Sequence, residues 1–275
     1  MHILKPVAII AAASIALLLS TISGGAVPSL AAGPSSPWSQ TSYNAAQSRA
    51  NLTEHTLAPS AVPHVRFLRS MTAQPTPPVS SCGLASVTAP LLTGDNIYAI
   101  TNNRISKYSN AGTLIWRRNP DPTFSTEFVS LAAAKGLVVT GGFGCDSPSE
   151  PGGFVDAYNA STGTLAWSKF FDTLDQMVVA GSHVVMTGED AAGTILAVLN
   201  LSDGSLLWGN NSVCGQAVFV VAQLVVEAGC DTSGPSLNAY KIATGALAWS
   251  RPGTWTAQRG DLSGPAARHF YATDA

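Results

Sequence analysis

From Cys82 onward, short apolar, β-branched runs alternate with turns of Gly, Asn, Asp and Ser. Runs of this length, bounded by turn-forming residues, predict strands rather than helices. Between Gln176 and Trp208 the pattern is clearest. Gln176–Ala180 is an apolar strand, and Gly181-Ser182 turns it into His183–Gly188. A polar loop, Glu189–Gly193, leads to Thr194–Asn200, and Ser202-Asp203-Gly204 turns into Ser205–Trp208. The same succession predicts strands at Ala89–Leu92, Asn96–Thr101, Arg104–Tyr108 and Thr113–Trp116, then at Val129–Ala132, Leu137–Gly142, Gly153–Tyr158 and Thr164–Trp167. It returns at Gln216–Val221, Leu224–Ala228, Ser236–Lys241 and Ala246–Trp249.

Each unit closes on glycine, three residues and tryptophan: Gly112 with Trp116, Gly163 with Trp167, Gly204 with Trp208, Gly245 with Trp249. The tryptophans stand 51, 41 and 41 residues apart. A period near forty with four strands per unit predicts an all-β fold of β-propeller blades. A fifth unit, residues 259–275, starts and does not finish: Arg268–Ala275 matches a second strand such as Asn96–Asn103. The chain thus carries about four and a half blades over residues 81–275.

Upstream, Lys5, the apolar run Val7–Leu19 and the small residues Ser29-Leu30-Ala31 read as a signal peptide over residues 1–31. The run is too short for an ordinary membrane span, so export without a remaining span is expected. No cysteine stands at the cleavage region, so no lipid anchor is expected there. Residues 32–80 form a Pro/Ser/Ala/Thr-rich lead-in with one alternating stretch, Val65–Met71. With 46% hydrophobic and 11% charged residues, 25 Gly and 17 Pro, the composition fits a turn-rich β domain rather than a helical bundle or a disordered tail. A net charge of −2 without a dense Lys/Arg run excludes an electrostatic case for nucleic acid. In an oxidising compartment Cys82, Cys145, Cys214 and Cys230 imply two disulfides, with three pairings open.

The repeated glycine is expected to supply the positive φ of a hairpin turn, and the tryptophan to pack between blades with its N–H on a backbone carbonyl. This pattern of polar turn, Gly, three residues and Trp resembles the tryptophan-docking repeats of the PQQ-binding-like (quinoprotein dehydrogenase-like) β-propellers. Trp38–Val62 is similar to the lead-in that secreted bacterial members carry, and Val65–Met71 to the strand that completes their last blade. The family spans quinoprotein alcohol dehydrogenases, outer-membrane-assembly lipoproteins and secreted proteins. Its propellers close with about eight blades, which implies a fragment of a larger ring. The alternative is that Val65–Met71 joins Arg268–Asp274 to close a ring of five.

In such blades the loop before the first strand and the loop after the second share one face. That rule places all four cysteines there and predicts Cys214–Cys230, leaving Cys82–Cys145 between adjacent blades. The same face collects Glu127, Asp146, Glu150, Asp172, Asp175, Glu189, Asp190 and Asp231. Of these, Asp146, Glu150, Glu189, Asp190 and Asp231 are the candidate binding face, for a basic partner or a cation.

The family's enzymes use PQQ, calcium, an acidic base and often a vicinal disulfide. The chain has no Cys-Cys pair and no acid that matches the base, and motifs of hydrolases, zinc enzymes and nucleotide binders are missing. No catalytic residue and no metal ligand are therefore assigned. The expectation is a secreted, non-enzymatic binding or scaffold module with a protein or cell-envelope partner. The alternative is a PQQ- and calcium-dependent dehydrogenase or a piece of one.

Overall fold

The structure, a computed structural model, describes residues 90–101, 104–118, 126–144, 152–211, 217–231, 234–253, 255–256 and 273–274. The expected signal peptide, the lead-in with Val65–Met71, and the stretch 257–272 lie outside the described residues, as do Cys82, Cys145, Cys214, Asp146 and Glu150.

The chain is all-β and forms a partial propeller. Its blades are four antiparallel sheets of four strands, each strand pairing with its neighbour in sequence. Blade 1 comprises β1 (Leu91–Thr93), β2 (Asn96–Thr101), β3 (Arg104–Ser109) and β4 (Leu114–Arg118). Blade 2 comprises β5 (Thr126–Ala134), β6 (Leu137–Gly144), β7 (Gly153–Asn159) and β8 (Leu165–Phe171). Blade 3 comprises β9 (Thr173–Ala180), β10 (His183–Asp190), β11 (Gly193–Asn200) and β12 (Leu206–Asn210). Blade 4 comprises β13 (Ala217–Val221), β14 (Leu224–Asp231), β15 (Gly234–Lys241) and β16 (Leu247–Pro252). A fifth unit contributes β17 (Trp255–Thr256) paired with β18 (Thr273–Asp274). Among the described residues no helix is long and apolar enough to cross a membrane.

The core lies between sheets. Blades 1 and 2 share Tyr98, Ile100, Ile105 and Trp116 with Leu131, Val138, Phe154 and Tyr158. Blades 2 and 3 share Val139, Val155 and Trp167 with Met177, Val184, Met186 and Leu201. Blades 3 and 4 share Val178, Val185 and Val198 with Val218, Val225, Tyr240 and Ile242. Inner strands are covered on both faces, so they read as unbroken apolar runs such as Val184–Met186, whereas the outer strands expose one side.

Several bounds differ from the sequence expectation, and the first strands β5 and β9 begin three residues earlier, at Thr126 and Thr173. The second strands run further: β10 includes Glu189 and Asp190, and β14 includes Cys230 and Asp231. In blade 3 the loop shrinks to the turn Ala191-Ala192, so the acids sit on ladder positions opposite Thr194 and Gly193. The outer strands also run two to four residues past each tryptophan, to Arg118, Phe171, Asn210 and Pro252.

A one-residue β-bulge precedes every tryptophan of the repeat. Trp167 pairs with Ala157 while Leu165 pairs with Tyr158, which leaves Ala166 as the extra residue. The same shift isolates Ile115, Leu207 and Ala248. In a regular strand Leu165 and Trp167 would share a face; the inserted residue puts them on opposite faces. The indole turns inward and the leucine outward, so Trp167 is 8% exposed and Leu165 55%.

The blade 3–blade 4 contact carries an amide clamp. Gln176 donates Nε2 to the Val218 carbonyl at 2.8 Å and accepts from the Val218 N–H at 3.2 Å, all buried. Gln176→Ala removes two buried hydrogen bonds between the blades, at roughly 0.5–1.5 kcal/mol each, plus the packing lost with the side chain. The expected loss is about 2–4 kcal/mol in urea unfolding; a loss under about 1 kcal/mol would mean that water enters and replaces the amide.

Candidate functional site

The repeat residues form a directional chain of fasteners between blades. The Trp116 indole donates Nε1–H to the Ala160 carbonyl at 3.2 Å, Trp167 to Leu201 at 2.9 Å, and Trp208 to Ile242 at 2.7 Å. Each indole thus reaches the turn of the following blade. There it lies on the glycine: a Cβ added at Gly163 would come 2.7 Å from Trp116 Cδ2, at Gly204 2.6 Å from Trp167 Cε3, and at Gly245 2.7 Å from Trp208 Cδ2. These glycines have φ of +71°, +70° and +70°. One position therefore needs glycine twice over, for its left-handed backbone and for the flat ring seated on it.

The acceptor residue is also held through its own N–H. Ala160 donates its N–H to Gly136, Leu201 to Ser182 and Ile242 to Gln223, at 2.8, 2.8 and 3.0 Å. Each of these residues ties the two hairpins of its own blade through its N–H and receives the preceding blade's indole on its carbonyl. The sequence reading missed these residues. Their signal is an apolar side chain inside a polar turn, with Leu201 and Ile242 buried at 1% and 2% exposure. Around them Asn159 Oδ1 accepts the N–H of Ser161 and Thr162, and Asp203 Oδ1 accepts the hydroxyl and N–H of Ser205. The Ser205 hydroxyl and then its amide hold the Asp203 carboxyl below its ordinary pKa.

The first junction carries cations as well. The Ala160 carbonyl also accepts Lys107 Nζ at 2.9 Å and the Tyr98 hydroxyl at 3.4 Å, with Nζ 5.7 Å from the Tyr98 ring centroid. Arg118 donates Nε to Gly163 O and Nη2 to Thr162 O, both at 2.7 Å. Burial pushes the Tyr98 phenol above its ordinary pKa.

Buried acids facing a neighbouring blade were also missed. Asp156 accepts from Ser168 Oγ at 2.6 Å and Tyr158 OH at 3.0 Å. Glu227 is fully buried beside Asn238, whose Nδ2 lies 3.4 Å from its Oε2. The Asp156–Ser168 pair is fixed by its ladder register inside a blade junction. The one histidine among the described residues, His183, starts β10 in another sheet.

Of the expected acidic face, the structure gathers part. Asp172 links β8 to β9 and donates its N–H to Glu189 O at 2.9 Å, while Glu189 sits opposite Thr173. Asp172, Glu189 and Asp190 thereby share one end of blade 3, with Asp175 exposed on β9. Asp190 Oδ1 is engaged by Ala192 N–H at 2.8 Å and Asn211 Nδ2 at 3.0 Å. Asp231 stands at the end of β14 opposite Gly234, and Glu127 on β5 opposite Phe143. Cys230 lies in β14 opposite Pro235, and the partners expected for the cysteines fall outside the described residues. Among the described residues no three His, Cys, Asp or Glu groups converge to hold a metal ion.

Comparison with known proteins places this architecture. Residues 101–268 match the model of a family described as outer membrane protein assembly factor BamB, a PQQ-repeat family. Among solved structures, quinohemoprotein alcohol dehydrogenase from Comamonas testosteroni superposes with a TM-score of 0.60 at 14% identity, covering 88% of this chain and 48% of that one. A europium-containing methanol dehydrogenase gives 0.56 at 13% identity, covering 79% and 49%. The quinohemoprotein alcohol dehydrogenase ADHIIG from Pseudomonas putida HK5 gives 0.50 at 14%, covering 80% and 40%. At these identities the likeness is one of fold, and the chain spans about half the length of the structures it matches or less. No curated protein matches the chain. With the family model covering more than half of its residues, the chain belongs to the PQQ-repeat β-propeller family that includes outer membrane protein assembly factor BamB.

Proposed function

We propose that this protein is an extracytoplasmic, non-enzymatic propeller that binds or scaffolds a protein partner in the bacterial cell envelope. The observation that supports it most is membership of a family whose model is described as an outer membrane assembly factor, spanning residues 101–268. The geometry is in keeping with it. Each indole from Trp116 to Trp208 is engaged at the next blade, so these repeat residues serve the scaffold. The face left for recognition is the acidic end of blade 3 around Asp172, Glu189 and Asp190, continued in sequence by Asp146, Glu150 and Asp231.

The competing reading is a quinoprotein dehydrogenase, which carries its redox chemistry on PQQ held with calcium. Thermal unfolding with and without PQQ and calcium, together with absorbance of the quinone, separates the two. The scaffold reading expects no calcium-dependent shift of melting temperature. A saturable, calcium-dependent rise of several degrees with a bound quinone spectrum would replace it with the enzyme reading.

A further inference from the structure

We infer that the outer edge of β8 is a strand-addition site for an extended, acid-bearing segment of another protein, an inference that rests on the binding-module reading above. Every blade ends on an outer strand, β4, β8, β12 or β16, and a sheet edge presents unpaired backbone N–H and C=O groups. Three of these edges are blunted. On β4 the Arg118 guanidinium covers the Arg117 carbonyl at 2.8 Å. On β16 the Trp255 indole takes the Arg251 carbonyl at 3.1 Å and the strand stops at Pro252. β12 is only five residues long and contains Gly209.

β8 differs on each count. At seven residues, Leu165–Phe171, it is the longest outer strand. Apart from its ladder to β7, the hydrogen bonds of its residues are those of two side chains, the Trp167 indole to Leu201 and the Ser168 hydroxyl to Asp156. Both point into blade junctions and leave the outward backbone groups open among the described residues. Alternate residues of an edge strand direct both backbone groups outward, so about three of the seven offer a donor and an acceptor.

The side chains beside that edge give the incoming strand a character. Phe170, at 68%, is the most exposed large hydrophobic residue described, and Leu165 is exposed at 55%. Register puts both on the side shared with Phe154 and Tyr158. Lys169 is exposed on the opposite side, toward the turn of blade 3, where it acts electrostatically on Asp203. A segment added along β8 would therefore lay apolar residues beside Leu165 and Phe170 and place a carboxylate by Lys169. Main-chain bonds supply the affinity and alternate side chains the selectivity. A second copy of this chain is the competing occupant; pairing of two β8 strands centred on residue 169 would bring two Lys169 ammonium groups together, which disfavours that register.

The test uses the full chain and one probe, the nine-residue peptide Thr-Leu-Thr-Leu-Glu-Leu-Thr-Leu-Thr, whose glutamate lies on the face opposite its leucines, titrated by fluorescence anisotropy. A second version carries an N-methyl group on every residue from the second to the eighth, which removes the donors of both its edges, and cannot pair. The expectation is saturable binding of the first, at least tenfold weaker binding of the second, and slowed amide exchange in β8. Lys169→Glu should weaken binding about tenfold, and exchanging the peptide's glutamate for lysine should restore it. Equal binding of the N-methylated peptide overturns the inference, as does no saturable binding at millimolar peptide. So does a concentration-dependent dimer lost in Phe170→Lys, which would make the occupant a second copy. A null peptide result with no PQQ–calcium shift removes the β8 site and leaves the binding-module reading standing on another surface.

Discussion

Gly204→Ala is expected to destabilise the protein by about 2–5 kcal/mol, a large share of the roughly 5–15 kcal/mol of a typical domain. Two terms add. The residue sits at φ +70°, where a Cβ costs roughly 1–2 kcal/mol. That Cβ would also lie 2.6 and 2.8 Å from Cε3 and Cδ2 of Trp167, so the indole must leave its seat, a further cost of about 1–3 kcal/mol. Gly181 separates the terms. It has φ +61° but nothing within 4 Å of an added Cβ, so Gly181→Ala should cost only the backbone term. Urea midpoints at unchanged m-value give the comparison. Equal losses at the two positions would show that contact with Trp167 is not what fixes glycine at 204.

Trp167→Ala should cost about 3–5 kcal/mol, the usual range for removing a large buried aromatic side chain. Its ring is 8% exposed, it packs among Val155, Leu174 and Leu201, and its Nε1–H is on the Leu201 carbonyl at 2.9 Å. Trp167→Phe keeps part of the packing and loses that bond, so it should fall between alanine and the native residue. The decisive measurement is the double variant. With the indole gone, Gly204→Ala no longer collides with it and should cost only about 1–2 kcal/mol. The combined loss should fall short of the sum by about 1–3 kcal/mol. Strict additivity would contradict the seating of one on the other.

The four-strand units are legible because turn residues mark them. Gly181-Ser182 and Asp203-Gly204 stand where hairpins reverse, and the Gly-x-x-x-Trp spacing repeats with them. Their ends are less legible. Glu189-Asp190-Ala191-Ala192-Gly193 reads as a polar loop, yet a ladder is built from backbone, and Gly193 at φ +109° lets the hairpin close in two residues. The bulge before each tryptophan leaves no local mark, since a one-residue shift exists only relative to the partner strand. Asp156 and Glu227 occupy positions that alternation would assign to solvent, but both faces of an inner strand here meet other blades. The acidic end of blade 3 is readable as charge, while its backbone tie from Asp172 to Glu189 depends on register. The distinction of β8 is largely hidden. Its sequence resembles the other outer strands, and its extra length together with the caps on β4 and β16 sets it apart.

Each indole reaches forward along the chain, and this gives assembly a clock. Trp116 seats on Gly163, 47 residues later, while Trp167 and Trp208 each wait 37 residues for Gly204 and Gly245. A chain emerging N-terminus first from a ribosome or a pore would always present its newest blade with a bare indole, sheltered only when the next unit arrives. The most recently made sheet is therefore the sticky one, and a pause in delivery between units would be the moment at which a chaperone is most needed.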